Sequence, residues 1–567
     1  MAVSDDGAES TARGAQLSRF KRPEQTFPTL TPAEIERIRH FGEVRSYADG
    51  ELLFETGKPG PGMFVVLKGH VAITQRDGLG HVSPVIDQGP GQFLAELSQL
   101  SGRPALVDGR AEGDVETLLL APDRLRALLV AEAELGERIM RALILRRVGL
   151  LETGAGPVII GPAGDSDVLR LQNFLSRNGH PHTDLDPETD PEARALIERF
   201  HVDKSALPIV LCPSGEFLQN PPELKLARCI GLVGPLDGDR LYDVAIVGAG
   251  PAGMAAAVYA ASEGLSVLVL DCRSFGGQAG ASSRIENYLG FPTGITGMAL
   301  MARAFNQAQK FGAEFAIPSQ VVALETRRDS GRDTFTLRLS DDQTVRARSV
   351  VVASGVRYRR LSVDNLEDFE GSSVHYWASP LEGKLCSHQE VVLVGAGNSA
   401  GQATVYLAGR AEKVWLLARG GDISASMSQY LVDRIRGLPN VEILTQCEVT
   451  RLDGSDGILD CISWRRASGE EVERKIRHLF LFIGADPETG WLSNTGVKLD
   501  PKGFVLTGVG AGEDCASLES SVPGIFAIGD VRAGSIKRVA AGVGEGAQVV
   551  AALHTFLASS PAAQPVA

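Results

Sequence analysis

The spacing of apolar and polar positions divides the chain into a polar N-terminal stretch and several folded segments. Residues 1–25 are rich in Ala, Ser, Gly and charged side chains, so we expect a disordered tail there. Residues 26–153 begin with a short helical pattern, continue as short apolar runs broken by Gly and Pro, and finish with two helical patterns. This order predicts a small β-barrel or jelly roll closed by helices.

The middle of the chain alternates between strand-like and helix-like patterns. Residues 156–239 contain the apolar run VIIG, helical stretches that start at Ser166 and Pro191, and the apolar run ALPIVLC. Alternation of this kind predicts a compact α/β module. From Tyr242 onward two strand–helix–strand patterns follow, and the chain ends in a helical stretch and a loose tail.

Length, charge and hydropathy narrow the class of protein. At roughly 100 to 200 residues per domain, 567 residues suggest about three to five domains. The net charge of −14, without a dense Lys/Arg block, argues against a nucleic-acid or anionic-membrane surface. The uncharged stretch Val244–Ser262 is dominated by Gly and Ala, so we expect no membrane span there. The acidic N-terminus lacks a secretory signal pattern, which predicts a cytoplasmic protein that binds small molecules or proteins.

The cysteines give little sign of a structural or metal-binding role. The seven of them are Cys212, Cys229, Cys272, Cys386, Cys447, Cys461 and Cys515. Their number is odd, they are widely scattered, and none forms a C-x-x-C pair. We therefore expect neither a disulfide framework nor a metal site.

A glycine-rich turn between a strand and a helix forms the first nucleotide-binding motif. Its candidate binding residues are Gly248, Gly250, Pro251, Ala252, Gly253 and Asp271. Gly248 permits a tight turn, Gly250 lets the backbone approach a pyrophosphate, and Gly253 lets the helix pack closely on the strand. The helix N-terminus offers N–H groups to the phosphates, and Asp271 is placed to accept a hydrogen bond from a ribose hydroxyl. An ordinary tight turn is the alternative, but the strand, helix and acid together favour a dinucleotide site.

A second glycine motif of the same kind lies farther along the chain. Its candidate residues are Gly395, Gly397, Asn398, Ser399 and Ala400. Two dinucleotide sites in one chain imply electron transfer between two nucleotides. The second strand of this motif is followed by Arg419, which suits a 2′-phosphate better than a free 2′-hydroxyl and favours NADPH over NADH. Alternatively, Arg419 is a solvated charge at the strand end, and Asp422 binds NADH instead.

The intervals between these motifs resemble those of bacterial thioredoxin reductases over about residues 242–557. The segment FGGQAGASSRIENYLGFP is similar to the family's flavin-contacting segment, and SSVPGIFAIGDVRAGSIKRVAAGVGEG is similar to its second FAD signature. The resemblance implies FAD contacts from Gly276, Gly277, Gln278, Asn287, Gly529, Asp530, Arg538 and Val539. It also implies a homodimer, in which an FAD-binding domain (241–357 and 491–560) is interrupted by an NAD(P)H-binding domain (365–490).

The chain departs from this family where a redox dithiol is expected. Family members carry a C-x-x-C after a Val-His-Tyr-like stretch, and the residues in that place here are Trp377, Ala378, Ser379 and Pro380. A flavin-to-disulfide relay needs two thiols that can form a disulfide, so the usual cycle cannot run unchanged. Catalytic residues are therefore left unassigned. Cys386 is either a lone redox thiol or, as we expect, a buried structural cysteine.

The basic pattern that binds NADPH in this family is also reduced. Only Arg419 of that pattern is present, and it is followed by Ser424, Ser426 and Ser428. These serines either donate hydrogen bonds to a phosphate or cap a helix.

The N-terminal segment, residues 26–153, resembles a cyclic nucleotide-binding domain. The matching positions are Gly50, Gly69, Glu96, Arg103 and Ala105. Such a site uses Glu for the ribose 2′-hydroxyl and Arg for the cyclic phosphate, which makes Glu96 and Arg103 the candidate ligands. Ala95 stands where the family has Gly, and only six residues separate Glu96 from Arg103. We expect the fold and leave cyclic nucleotide binding open.

Residues 156–239 resemble a thioredoxin or glutaredoxin fold, with Pro208 before a strand. The expected cysteine motif after the first strand is replaced by IIGPAGDSD. We expect a redox-inert module that serves in docking or packing.

Together these features predict an α/β protein with two Rossmann-like domains, for FAD and NAD(P)H, preceded by a β-roll cyclic-nucleotide-binding-like domain and a thioredoxin-like domain. The leading hypothesis is an enzyme that takes hydride from NADPH, with NADH as the second choice, and passes electrons from FAD to an external acceptor. That acceptor is a disulfide, a quinone, a ferredoxin-like protein or oxygen, and a thioredoxin-like or other redox protein is the expected partner. The alternative is a regulatory or sensor protein, in which the flavin reports nucleotide redox state to the N-terminal module.

Overall fold

The computed structural model describes residues 22–95, 98–101, 104–152, 156–199, 201–203, 206–329, 332–455 and 457–559. Nearly all of the predicted tail lies outside them, and a one-turn helix, α1 (Pro23–Thr26), stands at its end. Contacts group the chain into two units: 1–162, 178–235 and 306–318 in the first, and 163–177, 236–305 and 319–567 in the second. Within the described ranges no helix is long and apolar enough to cross a membrane. The same ranges contain no cluster of three or more metal-binding side chains.

The N-terminal part of the first unit is a β-roll. Its strands are β1 (Glu43–Tyr47), β2 (Leu52–Phe54), β3 (Met63–Arg76), β4 (Val82–Gln88), β5 (Phe93–Leu94) and β6 (Asp108–Leu120). They pair antiparallel in the order β1-β6-β3-β4, with β2 on β6 and β5 on β3. The helices are α2 (Pro32–Ile38), α3 (Ser98–Ser101), α4 (Pro122–Ala131) and α5 (Ala133–Glu152). Helix α2 begins with a capping box between Thr31 and Glu34. The predicted β-roll is confirmed.

A four-stranded sheet follows the β-roll. Its strands are β7 (Val158–Ile160), β8 (Thr183–Leu185), β9 (Ile209–Leu211) and β10 (Phe217–Gln219), in the order β10-β9-β7-β8. Strands β7 and β8 are parallel, whereas β9 is antiparallel to both β7 and β10. The helices of this segment are α6 (Ser166–Arg177), α7 (Pro191–Arg199) and α8 (Glu223–Cys229). Helices α6 and α7 begin where the sequence predicts, while the thioredoxin-like assignment stays a prediction.

The sequence predicts no disulfide framework, and the structure contains one disulfide that the sequence analysis did not anticipate. Cys212, which follows β9, is bonded to Cys229 at the end of α8, with 6.4 Å between the Cα atoms. The two residues are 17 apart in sequence, so no close spacing marks them. The module predicted to be redox-inert therefore contains a disulfide. The other five cysteines are free thiols.

The second unit contains the first of two nucleotide-binding sheets. Its first strands are β11 (Leu241–Val247), β12 (Val267–Leu270), β14 (Val321–Asp329), β15 (Arg332–Leu339) and β16 (Thr344–Val352). Between β12 and β14 the chain also forms β13 (Glu314–Ala316), which is grouped with the first unit. Strand β11 is parallel to β12 and β16, and β14 and β15 extend the sheet antiparallel from β16. The helices are α9 (Pro251–Ser262), α10 (Gly277–Gly280) and α11 (Gly297–Lys310).

The chain then forms a second parallel sheet. The elements of this part of the chain are β17 (Val356–Tyr358), β18 (Val374–His375), α12 (Pro380–Leu385), β19 (Glu390–Val394), α13 (Asn398–Ala408), β20 (Lys413–Ala418), α14 (Gln429–Arg436), β21 (Val441–Thr445), β22 (Glu448–Ser455), β23 (Ile458–Arg465), β24 (Glu471–Arg474), β25 (His478–Leu481) and β26 (Ala485–Pro487). Strands β17 and β26 pair with each other, antiparallel, outside the parallel sheet. The parallel order is β18-β25-β19-β20-β21, and β22-β23-β24 form a separate antiparallel sheet. Strands β19, β20 and β25 are almost wholly buried, which explains their continuous apolar sequences.

The last elements complete the first nucleotide-binding sheet. Strand β27 (Ile525–Ala527) lies parallel to β16, and the final helix, α15 (Val539–Ser559), packs on α9. This packing is close, because a Cβ on Gly546 would lie 2.5 Å from the carbonyl oxygen of Ala252. The two predicted Rossmann-like folds, the first interrupted by the second, are confirmed. The domain boundaries given above remain predictions.

Candidate functional site

The first glycine turn joins β11 to α9, and its glycines meet different steric demands. Gly248 has a φ of +115°, and a Cβ on it would lie 2.1 Å from the carbonyl oxygen of Ala353. A Cβ on Gly253 would lie 1.9 Å from the carbonyl oxygen of Gly248. A Cβ on Gly250, by contrast, would meet no atom within 4 Å. Gly250 therefore faces open space beside the start of α9, where no side chain caps the helix.

Asp271 lies directly after β12 and holds the first turn in place. Its Oδ2 accepts a hydrogen bond from the backbone N–H of Ala249 at 2.9 Å. Its Oδ1 accepts from the backbone N–H groups of Arg273 at 2.9 Å and Ser274 at 3.2 Å. Burial raises the pKa of this carboxyl, and the three hydrogen bonds oppose that rise. A carboxylate has about four lone-pair sites, so one site remains for a ligand hydroxyl.

The predicted Gly-Gly-Gln segment packs against the same turn. Gly276 has a φ of +93° and donates its backbone N–H to the carbonyl oxygen of Ala249 at 2.7 Å. A Cβ on Gly277 would lie 3.1 Å from the backbone of the first turn. The side-chain amide of Gln278 donates to the carbonyl oxygen of Val356. These contacts fix Gln278 at the entrance to the second nucleotide-binding fold.

The predicted second FAD signature reaches the first turn from the other end of the chain. Gly529 follows β27 and donates its backbone N–H to Glu545 Oε2 at 2.6 Å. A Cβ on Gly529 would lie 2.8 Å from the Cβ of Ala252. Burial raises the pKa of the adjacent Asp530 carboxyl, and the positive charge of Lys537 opposes that rise. Four separate segments thus converge on one uncapped helix start with open space at its glycine, which fits the diphosphate and ribose of a dinucleotide.

Three other predicted flavin contacts lie at or near the edge of this region. Asn287 is exposed in a loop framed by the Ile285–Ile295 bridge. Arg538 is exposed and Val539, the first residue of α15, is half-buried.

The second glycine turn repeats the first with one change. Gly395 has a φ of +149°, and a Cβ on it would lie 2.5 Å from the carbonyl oxygen of Phe482. Gly397 precedes α13, and a Cβ there would meet no atom within 4 Å. Ala400 is fully buried and occupies the position that Gly253 has in the first turn. The second turn therefore accommodates the methyl group that the first excludes.

Two of the three serines that follow β20 use their hydroxyl groups in hydrogen bonds within the fold. Ser424 Oγ donates to Asp422 Oδ1 at 2.8 Å, and Ser426 Oγ donates to a backbone carbonyl of the second turn at 2.8 Å. The backbone N–H of Ser428 donates to Asn398 Oδ1 at 2.7 Å. Neither of these hydroxyl groups caps a helix, and Ser428 precedes α14 without a side-chain cap hydrogen bond, so the choice between phosphate binding and helix capping is not decided by these contacts.

Arg419 and Asp422, the two candidates for recognising the ribose of the nicotinamide nucleotide, differ in how free they are. Arg419 is exposed just beyond β20, and among the described residues it has no ion-pair partner. Asp422 accepts hydrogen bonds from Ser424, which lower its pKa, as does the nearby Arg436. Arg419 is therefore the freer of the two side chains for a ligand.

A cavity of about 40 Å³ lies between the two nucleotide-binding folds. Its lining includes Gln278, Ser282, Tyr358, Trp377, Ser399 and Phe482. Burial raises the pKa of Tyr358 to about 12, so its phenol keeps its proton at neutral pH. The cavity thus brings together predicted residues from both motifs, Gln278 from the first and Ser399 from the second.

The segment in the place of the family dithiol is built as the start of a helix. Trp377 donates its indole N–H to Glu382 Oε1 at 3.0 Å. Glu382 is buried, and its Oε2 accepts the backbone N–H of Ser379 at 2.9 Å. Ser379 in turn caps α12, which begins at Pro380. The guanidinium of Arg177 lies 5.5 Å from the Trp377 ring centre.

Cys386 lies at the end of the same short helix, α12. It is fully buried, and burial raises its pKa to about 11. A thiol in these surroundings is protonated and poorly reactive at neutral pH. These properties favour the expected structural cysteine over a lone redox thiol.

The candidate cyclic nucleotide ligands cannot be placed, because Glu96 and Arg103 both lie outside the described residues. Of the other matching positions, Gly50 lies in a turn with a φ of +78°, and Gly69 lies within β3, at a register shift, with a φ of +80°. Ala105 is buried.

Two residues that hold the site together were missed from the sequence. Glu545 accepts a hydrogen bond from the backbone of Gly529 and pairs with Arg532. It lies inside the second FAD signature, but the sequence analysis did not single it out. Glu382 was marked by the pattern S-x-x-E at Ser379, a capping box that sequence reading can recognise.

Comparison with known proteins agrees with this geometry. The family model for pyridine nucleotide-disulphide oxidoreductases matches residues 242–546, and the model for cyclic nucleotide-binding domains matches residues 44–132. Thioredoxin reductase from Mycoplasmopsis pulmonis is 33% identical over 309 residues, which cover 54% of this chain and 95% of that protein. The bifunctional thioredoxin reductase/thioredoxin from Mycobacterium leprae is 29% identical over 57% of this chain and 68% of its own length.

Solved structures give the same result. Lactococcus lactis thioredoxin reductase, in its FR conformation, matches 56% of this chain and 99% of its own with a TM-score of 0.51 and 27% identity. Thioredoxin reductase from T. acidophilum matches 57% and 100% with a TM-score of 0.51 and 29% identity. The chain belongs to the pyridine nucleotide-disulphide oxidoreductase family. Within that family it is an FAD-dependent NAD(P)H oxidoreductase of the thioredoxin reductase type, fused to an N-terminal cyclic nucleotide-binding domain.

Proposed function

We propose that this enzyme oxidises NADPH through its bound FAD and passes the electrons to an external acceptor, in the first instance a disulfide of a thioredoxin-like or other redox protein. This proposal rests on the structure of the segment 377–382, which lies beside the cavity between the two folds. Trp377 and Glu382 occupy it with a helix-capping network, where relatives of this type have a dithiol. The second redox pair must then come from outside the flavin and nicotinamide folds.

The first turn and the segments around it suit FAD. We assign the pyrophosphate to the turn Gly248–Gly253 and the start of α9, and the adenosine ribose to Asp271. Further contacts are assigned to Gly277, Gln278, Asn287, Gly529, Asp530, Arg538 and Val539. The flavin supplies hydride acceptance and electron release, and the chain supplies binding, orientation and exclusion of water.

The second turn suits the nicotinamide nucleotide. We assign its pyrophosphate to Gly395, Gly397 and the start of α13, with Asn398, Ser399 and Ala400. Arg419 is assigned to the 2′-phosphate, because its side chain is exposed whereas Asp422 is held by Ser424. With these assignments we propose residues 365–490 as the NAD(P)H-binding domain and residues 241–357 and 491–560 as the FAD-binding domain. A cytoplasmic homodimer is the proposed state.

The first experiment is an anaerobic titration of the purified full-length protein with NADPH and, separately, with NADH. We expect an absorbance spectrum typical of a flavoprotein, and its bleaching by about one equivalent of NADPH at a higher rate than with NADH. A coloured protein that neither nucleotide bleaches would favour the alternative regulatory function. A protein that shows no flavin absorbance as purified, and that binds no FAD when FAD is added, would overturn the FAD assignment.

Thiol counting then tests whether the acceptor is external. After anaerobic reduction by NADPH, the number of reactive thiols in the unfolded protein should equal that of the oxidised protein. The matched control is the double variant Cys212→Ala/Cys229→Ala, which lacks the only disulfide of the described residues. Two extra thiols in the wild type and none in this variant would identify an internal acceptor and contradict the proposal.

A further inference from the structure

The end of helix α6 brings an arginine from outside the two nucleotide-binding folds to the first glycine turn. Arg177 is the last residue of α6 and precedes residue 242, where the match to the pyridine nucleotide-disulphide oxidoreductase family begins. Contacts nevertheless group residues 163–177 with the second unit, which contains both glycine turns. The family fold itself therefore does not supply this side chain.

Arg177 contacts the Gly-Gly-Gln segment that covers the first turn. Its Nη2 donates to the carbonyl oxygen of Gly277 at 2.8 Å, which is a charge-assisted hydrogen bond. A Cβ on Gly277 would lie only 3.1 Å from the Cα of Gly250, so one packed segment separates the guanidinium from the turn. Gln278, the next residue, lines the cavity between the two folds. Arg177 thus holds the backbone that lies between the first turn and that cavity.

The same guanidinium lies against Trp377, which is also part of the cavity wall. Its carbon atom is 5.5 Å from the centre of the Trp377 ring, within the range of a cation–π interaction. The ring is fixed in turn, because its indole N–H donates to Glu382 at 3.0 Å. Arg177 therefore connects Gly277 of the first nucleotide-binding fold with Trp377 of the second.

The positive charge of Arg177 acts on two acidic groups of this region. Burial raises the pKa of Tyr358, another residue of the cavity wall, to about 12, and the charge of Arg177 opposes that rise. Burial also raises the pKa of Asp271, and Arg177 opposes this rise together with three backbone hydrogen bonds. In both cases the guanidinium favours the anionic form of its neighbour. A negative charge that develops between the first turn and the cavity is therefore stabilised by Arg177.

Electron transfer places a negative charge in this region. With FAD at the first turn and the nicotinamide nucleotide at the second, as proposed above, the reacting rings meet in the cavity between the folds, since hydride transfer needs them roughly 3–3.5 Å apart. The hydride carries two electrons and one proton, so NADPH leaves as NADP⁺ and the flavin gains one negative charge. A positive charge beside the flavin ring favours that product.

We propose that Arg177 is a positioning residue of the flavin site. It holds Gly277 and Trp377 in place, and its positive charge favours the reduced flavin over the oxidised flavin. The midpoint potential of the bound FAD is therefore higher than it would be without this charge. The inference rests on the function proposed above, because it takes FAD to occupy the first turn.

The test is the midpoint potential of FAD in the full-length protein, measured by anaerobic reduction against a dye of known potential. Arg177→Gln keeps an N–H donor but removes the charge. It should make the equilibrium constant for flavin reduction at least about tenfold smaller, which lowers a two-electron potential by about 30 mV. Arg177→Lys keeps the charge and should recover at least half of this shift. The matched control is Arg170→Gln, at an arginine of the same helix that pairs with Asp167, and it should keep the wild-type potential.

A wild-type potential in Arg177→Gln would overturn the proposal. So would an equal shift in Arg177→Gln and Arg177→Lys, because the geometry of the guanidinium, and not its charge, would then set the potential. Should Arg177→Gln fail to fold, Arg177→Met is the second neutral variant and should show the same decrease. A wild-type flavin that neither nucleotide bleaches contradicts the proposed function, whereas a bleached wild type with an unchanged potential in the neutral variant contradicts only the role of Arg177.

Discussion

The two glycine turns follow one pattern but are completed in different ways. In the first, Gly253 leaves no room for a Cβ and the acid Asp271 is enclosed by backbone N–H groups. In the second, Ala400 is accommodated and the charge that follows the strand, Arg419, is exposed. Segments distant in sequence cover the first turn, whereas the side chain assigned to recognise the second nucleotide reaches solvent. The difference suits a cofactor that stays bound at the first turn and a substrate that exchanges at the second.

The largest expected difference between the two turns is in their response to substitution at the third motif position, Gly253 in the first turn and Ala400 in the second. Gly253→Ala places a methyl group 1.9 Å from a backbone oxygen, so the helix or the turn must shift. We expect loss of bound FAD and a decrease in the free energy of unfolding of about 3 kcal/mol. The reverse change, Ala400→Gly, should cost only about 1 kcal/mol and leave the FAD content unchanged. Absorbance of the bound flavin and urea unfolding measure both effects.

Equal behaviour of the two variants would contradict the contrast. A control for the added methyl group itself is Gly421→Ala, because the nearest atom to a Cβ there is a side-chain nitrogen at 4.0 Å. This variant should keep both its flavin and its stability.

The two folds should also respond to pH in opposite directions. Burial lowers the pKa of His375 from 6.5 to about 4, and His375 Nε2 lies 3.2 Å from Nδ1 of the buried His478. A lowered histidine pKa stabilises the fold above pH 6.5, and this contribution is lost as the pH falls towards 4. The raised pKa of Asp271 has the opposite sign: it favours the folded state in acid, and that contribution is lost as the pH rises.

We therefore expect the free energy of unfolding to fall by about 3 kcal/mol between pH 6.5 and pH 4, measured by urea unfolding at several pH values. His375→Gln removes one of the two titrations of this histidine pair and should make the profile less steep, because burial also lowers the pKa of His478, to about 3. The exposed His388 provides the control, and His388→Gln should keep the wild-type profile. An unchanged slope in His375→Gln would show that other groups set the acid sensitivity.

Asp271→Asn tests how much the first turn depends on its acid. The amide keeps one acceptor oxygen but cannot accept from Ala249 on one side and from Arg273 and Ser274 on the other. We expect the affinity for FAD to fall roughly 10- to 100-fold, measured by titrating apoprotein with FAD and following flavin fluorescence. The exposed Asp486 supplies the control, and Asp486→Asn should bind FAD normally. Unchanged FAD affinity in Asp271→Asn would remove the ribose assignment.

The sequence predicts both turns because their chemistry is local. Gly248 and Gly395 stand at fixed distances from the strand and helix that they join, so spacing alone identifies them. The disulfide between Cys212 and Cys229 escapes prediction because tertiary folding brings those residues together. Arg177 escapes for a related reason: at the end of its helical stretch it reads as a solvated charge, and only the fold shows that it donates to Gly277.

The smallest expected effect concerns Arg419, the exposed side chain that is assigned to the second nucleotide. Arg419→Ala removes the charge assigned to the 2′-phosphate, so the KM for NADPH should rise about tenfold while kcat stays the same. The KM for NADH should not change, because NADH lacks that phosphate. Steady-state kinetics with both nucleotides measure the split, and Arg465→Ala, at an exposed arginine paired with Glu471, is the control. If the KM for NADPH in Arg419→Ala matches the control, Arg419 is a solvated charge at the end of β20, and discrimination between the two nucleotides has to come from another side chain.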